Sequence, residues 1–408
     1  MMNQHTRFNN VTFLFLLLAL LMIAPTTAFS HPQANGVNTV SSQSAADAGS
    51  GGQSVAIAFE LLGSVVFETG FRFADTEVGG LSGITYDAQR GVYYVLSDDR
   101  SEVNLARYYT VDINLADGQL NVGDVTFQEV TTLLNERRNP FPERGVDPED
   151  IVLARPGFLY ISSEGSTNAE PPLYPFVNRF NLNGKQTAAL SIPAKFLPSA
   201  ERTSGVRNNL AFESLTVTPN GQFLYTATEN ALLQDGPPAA VGQDTLCRIL
   251  RLGLSPAGPL EEYVYITRPV PVPPDPPGSF ADNGLVALLA LDDDGTLLAM
   301  ERSFAVGVGN TIKLFVVSTQ GATDVSGMDD LFDEDTGTPG DFVPVTKQLV
   351  LDLADLGVDP DNIEGMTFGP NLPDGRQTLI LVSDNNFNPV QETQFIDLAV
   401  ELATASEK

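Results

Sequence analysis

The chain has 408 residues, 22 Lys and Arg against 51 Asp and Glu, and a formal net charge of −29 at pH 7. Phosphate binding in nucleic-acid proteins needs clustered Lys and Arg, so this balance excludes nucleic acid as a partner. The only histidines are His5 and His31, close to the N-terminus, and Cys247 is the only cysteine. The rest of the chain therefore has no imidazole for a Ser-His-Asp hydrolase, a histidine phosphatase or a His-ligated zinc site. With one cysteine, no intramolecular disulfide can form.

The first 28 residues have the pattern of a secretory signal peptide. Arg7 precedes an apolar run over 11–23, and Thr26-Thr27-Ala28 supplies the small residues of a cleavage site. The alternative is an uncleaved anchor, but the apolar run is shorter than the ~20 residues that a membrane span needs. No later stretch has the length and hydrophobicity of a membrane span, so we expect a secreted or periplasmic protein.

Residues 29–54 are rich in Ser, Gly, Ala and Gln and have no apolar period, which predicts a flexible linker. The folded domain is expected over 55–402, with a short tail at 403–408. This length is large for one ordinary domain, for which ~100 to 200 residues is typical. A closed array of repeats resolves the conflict, because each unit is small while the whole is one domain.

One short plan occurs five times along this domain. A polar residue opens an apolar run, a turn follows, and a second apolar run closes with an acid. The opening positions are 67, 64, 70 and 81 residues apart, and the closing acids follow them after 16, 15, 16, 18 and 20 residues. In chain order, the opening and closing positions are Ser82 and Asp98, Glu149 and Glu164, Glu213 and Glu229, Asn283 and Glu301, and Glu364 and Asp384. Such steady spacing indicates five copies of one strand-turn-strand unit.

Two further strand-like segments follow the first pair in each copy. They lie at 107–113 and 125–130 in the first copy, and at 248–252 and 263–266 in the third. Four strands per unit, without a helical pattern, predict an all-β fold in which each copy forms one blade of a β-propeller.

The ends of the repeat array predict how the ring closes. The last copy has only a third strand, at 394–402, so we expect an N-terminal strand from 55–63 or 64–73 to complete that blade. The longer gap after the fourth opening position contains 342–345 and 348–352, which could belong to a further blade. The sequence therefore predicts five or six blades.

The block 361–387 contains Asn-Ile-Glu-Gly-Met-Thr-Phe-Gly-Pro-Asn-Leu-Pro-Asp-Gly-Arg and then Leu-Val-Ser-Asp-Asn-Asn-Phe. It resembles the esterase-like phytase family, whose members are secreted or periplasmic and related to β-propeller phytases. Segments 80–100 and 297–303 look similar to the same family, so the resemblance runs from about residue 79 to 398. It implies hydrolysis of an ester, with a phosphoric ester as the first substrate class and calcium as the cofactor.

Under this resemblance, the acids at the ends of the inner strands would gather at one mouth of the central channel. Calcium prefers about six to eight oxygen ligands, so many acids in one region suit it. A bound cation would neutralise a phosphate ester and lower the pKa of a water molecule without any histidine. The predicted metal ligands are Asp98, Asp99, Glu149, Glu164, Glu229 and Glu301, the predicted catalytic residues are Glu213, Glu364 and Asp384, and the predicted substrate-binding residues are Arg100 and Arg302.

Several alternatives stay open at this point. An acid at a strand end often caps a turn, and Arg100 and Arg302 could form ion pairs between blades. Ser82 lacks both the last glycine of a nucleophile elbow and a histidine to activate it, so a conventional esterase serine is rejected. Three functions fit: a calcium-dependent phosphoric ester hydrolase, a carboxylic or lactone ester hydrolase, and a non-catalytic propeller that binds a ligand and carries structural calcium. We expect a small-molecule ester as the binding partner and a monomeric protein.

Overall fold

The computed structural model describes residues 39–41, 56–333 and 335–403. The predicted signal peptide, most of the predicted linker and the predicted tail after Ala403 lie outside these residues. Nearly all regular structure in the described part is β-strand, and none of its helices has the length and hydrophobicity needed to cross a membrane. Short 3₁₀ helices occupy Ala194–Phe196, Leu233–Asp235 and Leu353–Leu356.

Among the described residues, four strands precede the first blade. They are β1 (Thr39–Ser41), β2 (Ala56–Glu68), β3 (Arg72–Phe73) and β4 (Thr76–Glu77). β1 pairs antiparallel with β2, and β3 and β4 form a separate two-stranded ribbon.

The first three blades are four-stranded antiparallel sheets in which each strand pairs with the next one along the chain. Blade 1 consists of β5 (Gly83–Asp87), β6 (Val92–Ser97), β7 (Arg107–Ile113) and β8 (Val125–Thr132). Blade 2 consists of β9 (Pro148–Ala154), β10 (Phe158–Ser163), β11 (Phe176–Asn181) and β12 (Gln186–Ala189). Blade 3 consists of β13 (Phe212–Val217), β14 (Phe223–Thr228), β15 (Leu246–Leu254) and β16 (Ala257–Ile266). The strands predicted at 107–113, 125–130, 248–252 and 263–266 are all present.

Blade 4 carries an insertion before its last strand. Its elements are β17 (Ala281–Ala290), β18 (Thr296–Ala305), β19 (Gly309–Ser318), the ribbon of β20 (Phe332–Asp333) and β21 (Thr338–Pro339), and β22 (Thr346–Asp352). β22 pairs with β19 as the outer strand of this blade. Residues 348–352 therefore belong to blade 4, and the propeller has five blades.

Blade 5 joins the two ends of the folded chain. It consists of β23 (Ile363–Asn371), β24 (Gln377–Ser383) and β25 (Glu392–Ala403), and β2 is its fourth strand. β2 pairs with β25 from Ala56 opposite Ala403 to Glu68 opposite Glu392. An N-terminal strand thus closes the ring, as the sequence predicted.

The first strand of each blade contacts the first strand of the next. These contacts join β5 to β9, β9 to β13, β13 to β17, β17 to β23, and β23 back to β5. The apolar cores lie between blades; Leu298 of blade 4 and Leu381 of blade 5 share one, and Tyr109 of blade 1 and Phe395 of blade 5 share another. This packing fixes the ends of the inner strands around one axis, where the predicted site residues lie.

Candidate functional site

The closing acids of four blades lie directly after the second strand, in equivalent places. The backbone N–H of each donates to the carbonyl two residues before the opening position of its own blade. These bonds run from Asp98 to Gly80 (2.7 Å), Glu164 to Asp147 (3.1 Å), Glu229 to Ala211 (2.7 Å) and Asp384 to Asn362 (2.9 Å). The shared bond holds the four acids at matching points around the axis, as the repeat spacing indicated.

Blade 4 departs from this plan. Its β17–β18 ladder extends further than the matching ladders, so Glu301 pairs with Leu285 inside the sheet instead of following the strand end. Arg302, which pairs with Gly284, then stands where the other blades have the closing acid. Blade 4 therefore has an arginine at the position where the other four blades have an acid.

This register corrects the sequence-based assignment of blade 4. Glu213 and Glu364 lie at a bulge in the first strand of their blades, and the bulge in β17 contains Val286. The sequence had placed Asn283 at this position. With Val286 as the opening residue and Arg302 as the closing one, the separation is 16 residues, the same as in blades 1 and 3.

Carboxylates from four blades lie close together at the ends of the inner strands, and we call this set the acid ring. Its members are Asp98, Asp147, Glu149, Glu164, Glu213, Glu229, Glu364 and Asp384. In two triads, one oxygen of each residue lies within 4.8 Å of the others: Asp147 with Glu149 and Glu164, and Glu164 with Glu213 and Glu229. Glu164 belongs to both triads, so the negative charge is densest around it.

Burial and mutual repulsion disfavour the charged form of these acids. Burial first, and the charges of neighbouring acids second, raise the pKa of Glu149 and of Glu213 well above the usual range. Burial also raises the pKa of Glu229 to about 8, although the Arg302 guanidinium opposes the rise. The pKa of Asp384 is raised to about 8 by burial and by the charge of Glu364. A cation within the ring would relieve this repulsion.

Arg302 supplies one positive charge to the ring. Its Nη2 lies 3.3 Å from Oε1 of Glu229 and 3.2 Å from Oε1 of Glu364, and its Nη1 lies 3.7 Å from Oδ2 of Asp282. Its Nε is buried and has no hydrogen-bond partner among the described residues. Arg302 therefore keeps one buried donor that no described group uses.

Arg100 lies beside the ring, on the side of blades 1 and 2. Its Nε donates to Oδ1 of Asp147 at 2.6 Å, and its Nη2 donates to Oδ1 of Asn209 at 2.6 Å. Its side chain is 36% exposed. Both arginines predicted to bind substrate are thus adjacent to the acid ring, and each is already paired with at least one carboxylate.

Asp99 is oriented away from the ring and organises the loop that follows it. Its Oδ1 accepts from the backbone N–H groups of Glu102 (2.8 Å) and Val103 (3.1 Å). Its Oδ2 accepts from the Asn104 N–H at 2.7 Å and from Arg107 Nη1 at 2.7 Å. Its predicted role as a metal ligand stays a prediction, and its observed contacts are those of a loop cap.

Glu301 also lies outside the acid ring. Its oxygens accept hydrogen bonds from the Tyr265 hydroxyl at 2.7 Å, from Asn283 Nδ2 at 3.1 Å and from Lys347 Nζ. The residues at the equivalent position of the other blades all carry hydroxyl groups: Ser97, Ser163, Thr228 and Ser383. Metal binding by Glu301 stays a prediction, and its donors come from blades 3 and 4.

The sequence did not point to one member of the acid ring, Asp147, or to a neighbour of the ring, Asn362. Asp147 and Asn362 each lie two residues before an opening acid. The backbone carbonyl of each accepts a hydrogen bond from the N–H of the closing acid of the same blade. Asn362 Nδ2 donates to Oε1 of Glu364 at 3.0 Å. A polar residue two positions before an opening acid is the signal that could have found both.

Two glycines make room for ring carboxylates. A Cβ on Gly80, whose φ is 63°, would collide with Oδ1 of Asp98, and a Cβ on Gly284 would collide with Oε1 of Glu229. At both positions the backbone lies so close to the carboxylate that a residue with a Cβ atom would not fit.

The donor set of the ring suits a hard cation. Every carboxylate in the two triads offers oxygen, and the only histidines of the chain are His5 and His31, far from the repeats in sequence. Calcium and magnesium prefer oxygen ligands, whereas structural zinc prefers cysteine and histidine. The buried acids of the ring could therefore hold a metal ion of the calcium type.

The fold and the site together define a class: a five-bladed β-propeller with buried carboxylates clustered at the ends of its inner strands. A family model described as phytase-like, with the esterase-like activity of phytase, matches residues 76–387. The chain belongs to this phytase-like family, which confirms the resemblance seen in its last repeat.

Three solved structures of low sequence identity are similar to this chain. The Dos1 propeller has 9% identity and a TM-score of 0.34, over 84% of this chain and 75% of that chain. The periplasmic gluconolactonase of Pseudomonas aeruginosa has 11% identity and a TM-score of 0.33, over 86% and 96%. A luciferin-regenerating enzyme has 14% identity and a TM-score of 0.36, over 82% and 95%. No curated protein matches the chain, and these distant similarities carry no information about activity.

Proposed function

We propose that this protein is a calcium-dependent ester hydrolase that acts at the acid ring, with phosphoric esters as its first substrate class. The observation that carries the proposal is the pair of buried triads that share Glu164. Crowded buried carboxylates are compensated most directly by a divalent cation, and oxygen-only donors favour calcium. The family description, esterase-like activity of phytase, supports ester hydrolysis as the reaction.

The residues that would hold the cation are those of the two triads: Asp147, Glu149, Glu164, Glu213 and Glu229. A calcium ion bound there would supply charge neutralisation for the ester oxygens and a lowered pKa for an attacking water molecule. Asp98 lies near Asp147 and Asp384 and extends the negative surface toward blade 5.

Groups on the blade 4 and blade 5 side would position the ester and move the proton. Arg302 has an unused buried Nε that can donate to an ester oxygen. Glu364 and Asp384 are the candidates for proton transfer, because a carboxyl group with its pKa near 8, as at Asp384, can both accept and release a proton near neutral pH. Arg100, which is 36% exposed, would bind the outer part of the substrate.

A second candidate is a carboxylic or lactone ester hydrolase. The observation that favours it is that both arginines near the ring are already paired with carboxylates, Arg100 with Asp147 and Arg302 with Glu229 and Glu364. A highly phosphorylated substrate would need more free cations than these, whereas a neutral ester would not.

The ester class can be assigned by comparing substrates on one protein preparation. The panel contains phosphomonoesters, phytate, a carboxylic ester and a lactone, each assayed with calcium. We expect phosphate release to exceed cleavage of the neutral esters, and to be lost in Glu213→Gln and Glu364→Gln. The matched control is Glu129→Gln, which changes an exposed acid of β8. Faster cleavage of the neutral esters would replace the first substrate class with the second.

Export from the cytoplasm is a separate proposal that rests on the leader pattern of residues 1–28. Cleavage after Ala28 would give a mature chain that begins at Phe29. Intact-mass and N-terminal sequencing of protein recovered from a secreting host tests this, since a retained leader would contradict it.

A further inference from the structure

A cavity of about 270 Å³ opens on blade 4, apart from the acid ring. One wall is the connector between β16 and β17, at 268–271. The floor is formed by two cross-strand pairs of β18 and β19, Glu301 with Lys313 and Ser303 with Thr311. Side chains alternate along a strand, so these residues lie on the face of β18 opposite to Arg302, which belongs to the ring.

Arg268 is the cation of this cavity that no acid neutralises. The side chain is exposed, and among the described residues its guanidinium has no hydrogen bond or ion pair; it lies over the ring of Phe315, with Cζ 5.4 Å from the centroid. The other cations nearby are paired, Lys313 with Asp352 at 2.7 Å and Lys347 with Glu301. The charged side chains that line the cavity are Arg268, Lys313 and Glu301, two cations against one acid, so the lining carries an excess of one positive charge.

The protein holds the backbone of Arg268 in place from two sides. Its N–H donates to Oε2 of Glu301 at 3.2 Å, and its carbonyl accepts from Asn283 Nδ2 at 2.7 Å. Glu301 stands where the other blades have a serine or threonine, so this support is particular to blade 4. The connector that carries the unpaired cation is therefore fixed, which reduces the entropy lost when a ligand binds.

The other residues that line the cavity give it a hydroxyl group at one end and an apolar surface on one side. The hydroxyl of Thr311 forms no hydrogen bond with any described residue, so it can donate to a ligand. Pro269 and Pro271 supply apolar surface on the connector side. We propose that this cavity binds a small organic anion, with its carboxylate on Arg268 and Thr311 and its apolar body against Pro269 and Pro271. The site is independent of hydrolysis at the acid ring.

Benzoate is the probe, because it joins a carboxylate to a flat apolar body. Isothermal titration calorimetry is carried out on the full-length protein with a chelator present, so that no cation in the acid ring can recruit the carboxylate. We expect one benzoate per chain, with affinity reduced about tenfold or more in Arg268→Ala and partly retained in Arg268→Lys. The neutral isostere benzamide and inorganic phosphate are expected to bind much more weakly than benzoate.

Two control variants distinguish binding in this cavity from binding at another arginine or at the acid ring. Arg179→Ala removes an arginine that also lies over an aromatic ring, with Cζ 4.4 Å from the Phe158 centroid, but that lies outside the cavity lining. Glu213→Gln changes the acid ring. Both variants are expected to bind benzoate like the wild type, and thermal melts check that every variant is folded.

Three results would overturn the proposal. They are unchanged benzoate affinity in Arg268→Ala, equal affinity for benzamide, and no benzoate binding up to about 10 mM. Phosphate binding without benzoate binding would contradict the apolar part of the site. A change in benzoate affinity in Glu213→Gln, in either direction, would move the anion to the acid ring and contradict a separate site.

Discussion

The guanidinium of Arg302 in blade 4 lies 3.2 Å from the carboxylate of Glu364 in blade 5. The same Nη2 lies 3.3 Å from Glu229 in blade 3, so one guanidinium joins three blades. Arg302 occupies the position where the other blades carry an acid. It thereby offsets part of the negative charge that the acid ring accumulates.

Removal of the Arg302 charge should destabilise the protein strongly. Its side chain is only 13% exposed, and Arg302→Gln would leave buried carboxylates without their partner. We expect a loss of about 3 kcal/mol or more in the free energy of unfolding, measured by urea denaturation with a chelator present. The matched control is Arg144→Gln, which breaks a surface pair with Glu102 in which Arg144 is 74% exposed; its cost should stay below about 1 kcal/mol. Similar losses in both variants would contradict the role of Arg302 as the counter-charge of the ring.

Glu164→Gln should have opposite effects with and without calcium. The substitution removes one charge from both triads, so it relieves repulsion in the metal-free protein and should raise its melting temperature. It also removes a shared ligand, so calcium affinity should fall by about tenfold or more, and the melting shift caused by calcium should shrink. Differential scanning calorimetry with calcium and with chelator gives both quantities. A variant that is less stable in chelator and binds calcium normally would contradict the central place of Glu164.

Glu301→Gln should affect stability and leave calcium binding intact. The carboxylate accepts from Lys347, Tyr265 and Asn283, so the variant leaves the half-buried Lys347 without its acid. We expect a lower free energy of unfolding and a calcium titration that matches the wild type. Loss of calcium affinity in this variant would restore Glu301 as a metal ligand, the role that the repeat spacing predicted for it.

Asp397 should make stability depend on pH. It is fully buried in β25, and burial raises its pKa to about 8, against about 3.9 in an unfolded chain. The folded state holds the proton more tightly, so the stabilisation is fully present below about pH 4 and is lost as the pH rises toward about 8. Asp397→Asn stays neutral, so its stability relative to the wild type should rise from about pH 5 to about pH 8, by at most about 1.4 kcal/mol per pH unit.

The control for this prediction is Asp374→Asn. Asp374 is exposed, and the hydrogen bond from the Arg376 backbone lowers its pKa, so it stays ionised over the same pH range. Its stability relative to the wild type should therefore not change with pH there. Urea denaturation at several pH values measures both variants, and a flat profile for Asp397→Asn would contradict the buried carboxyl interpretation.

Much of the fold could be read from the sequence because each blade repeats the same local chemistry. Apolar runs of strand length, turns rich in Gly and Asp, and acids at fixed intervals predicted five units and their closure by an N-terminal strand. These features depend on contacts between residues close in the chain, apart from the β2–β25 pairing, which the missing fourth strand of blade 5 indicated.

The site was less predictable, because register depends on pairing and bulges that spacing alone does not reveal. In blade 4, the spacing of Asn283 and Glu301 is similar to that of the opening and closing residues in the other blades. The bulge at Val286 sets the actual register and places Arg302 beside the acid ring. Spacing also cannot tell whether an acid after a strand lies among the acids of the ring, like Asp98, or caps the next loop, like its neighbour Asp99.

Calcium in the acid ring is proposed to enable ester hydrolysis. The most direct test measures phosphate release from a phosphomonoester by one preparation, first with calcium, then with excess chelator, then with calcium restored. We predict release with calcium, loss with chelator and recovery on restoration, with no release from a folded Glu213→Gln variant. Release that persists in chelator would contradict the claim. So would the absence of turnover of phosphoric and neutral esters while calcium still raises the melting temperature, and the acids would then be structural.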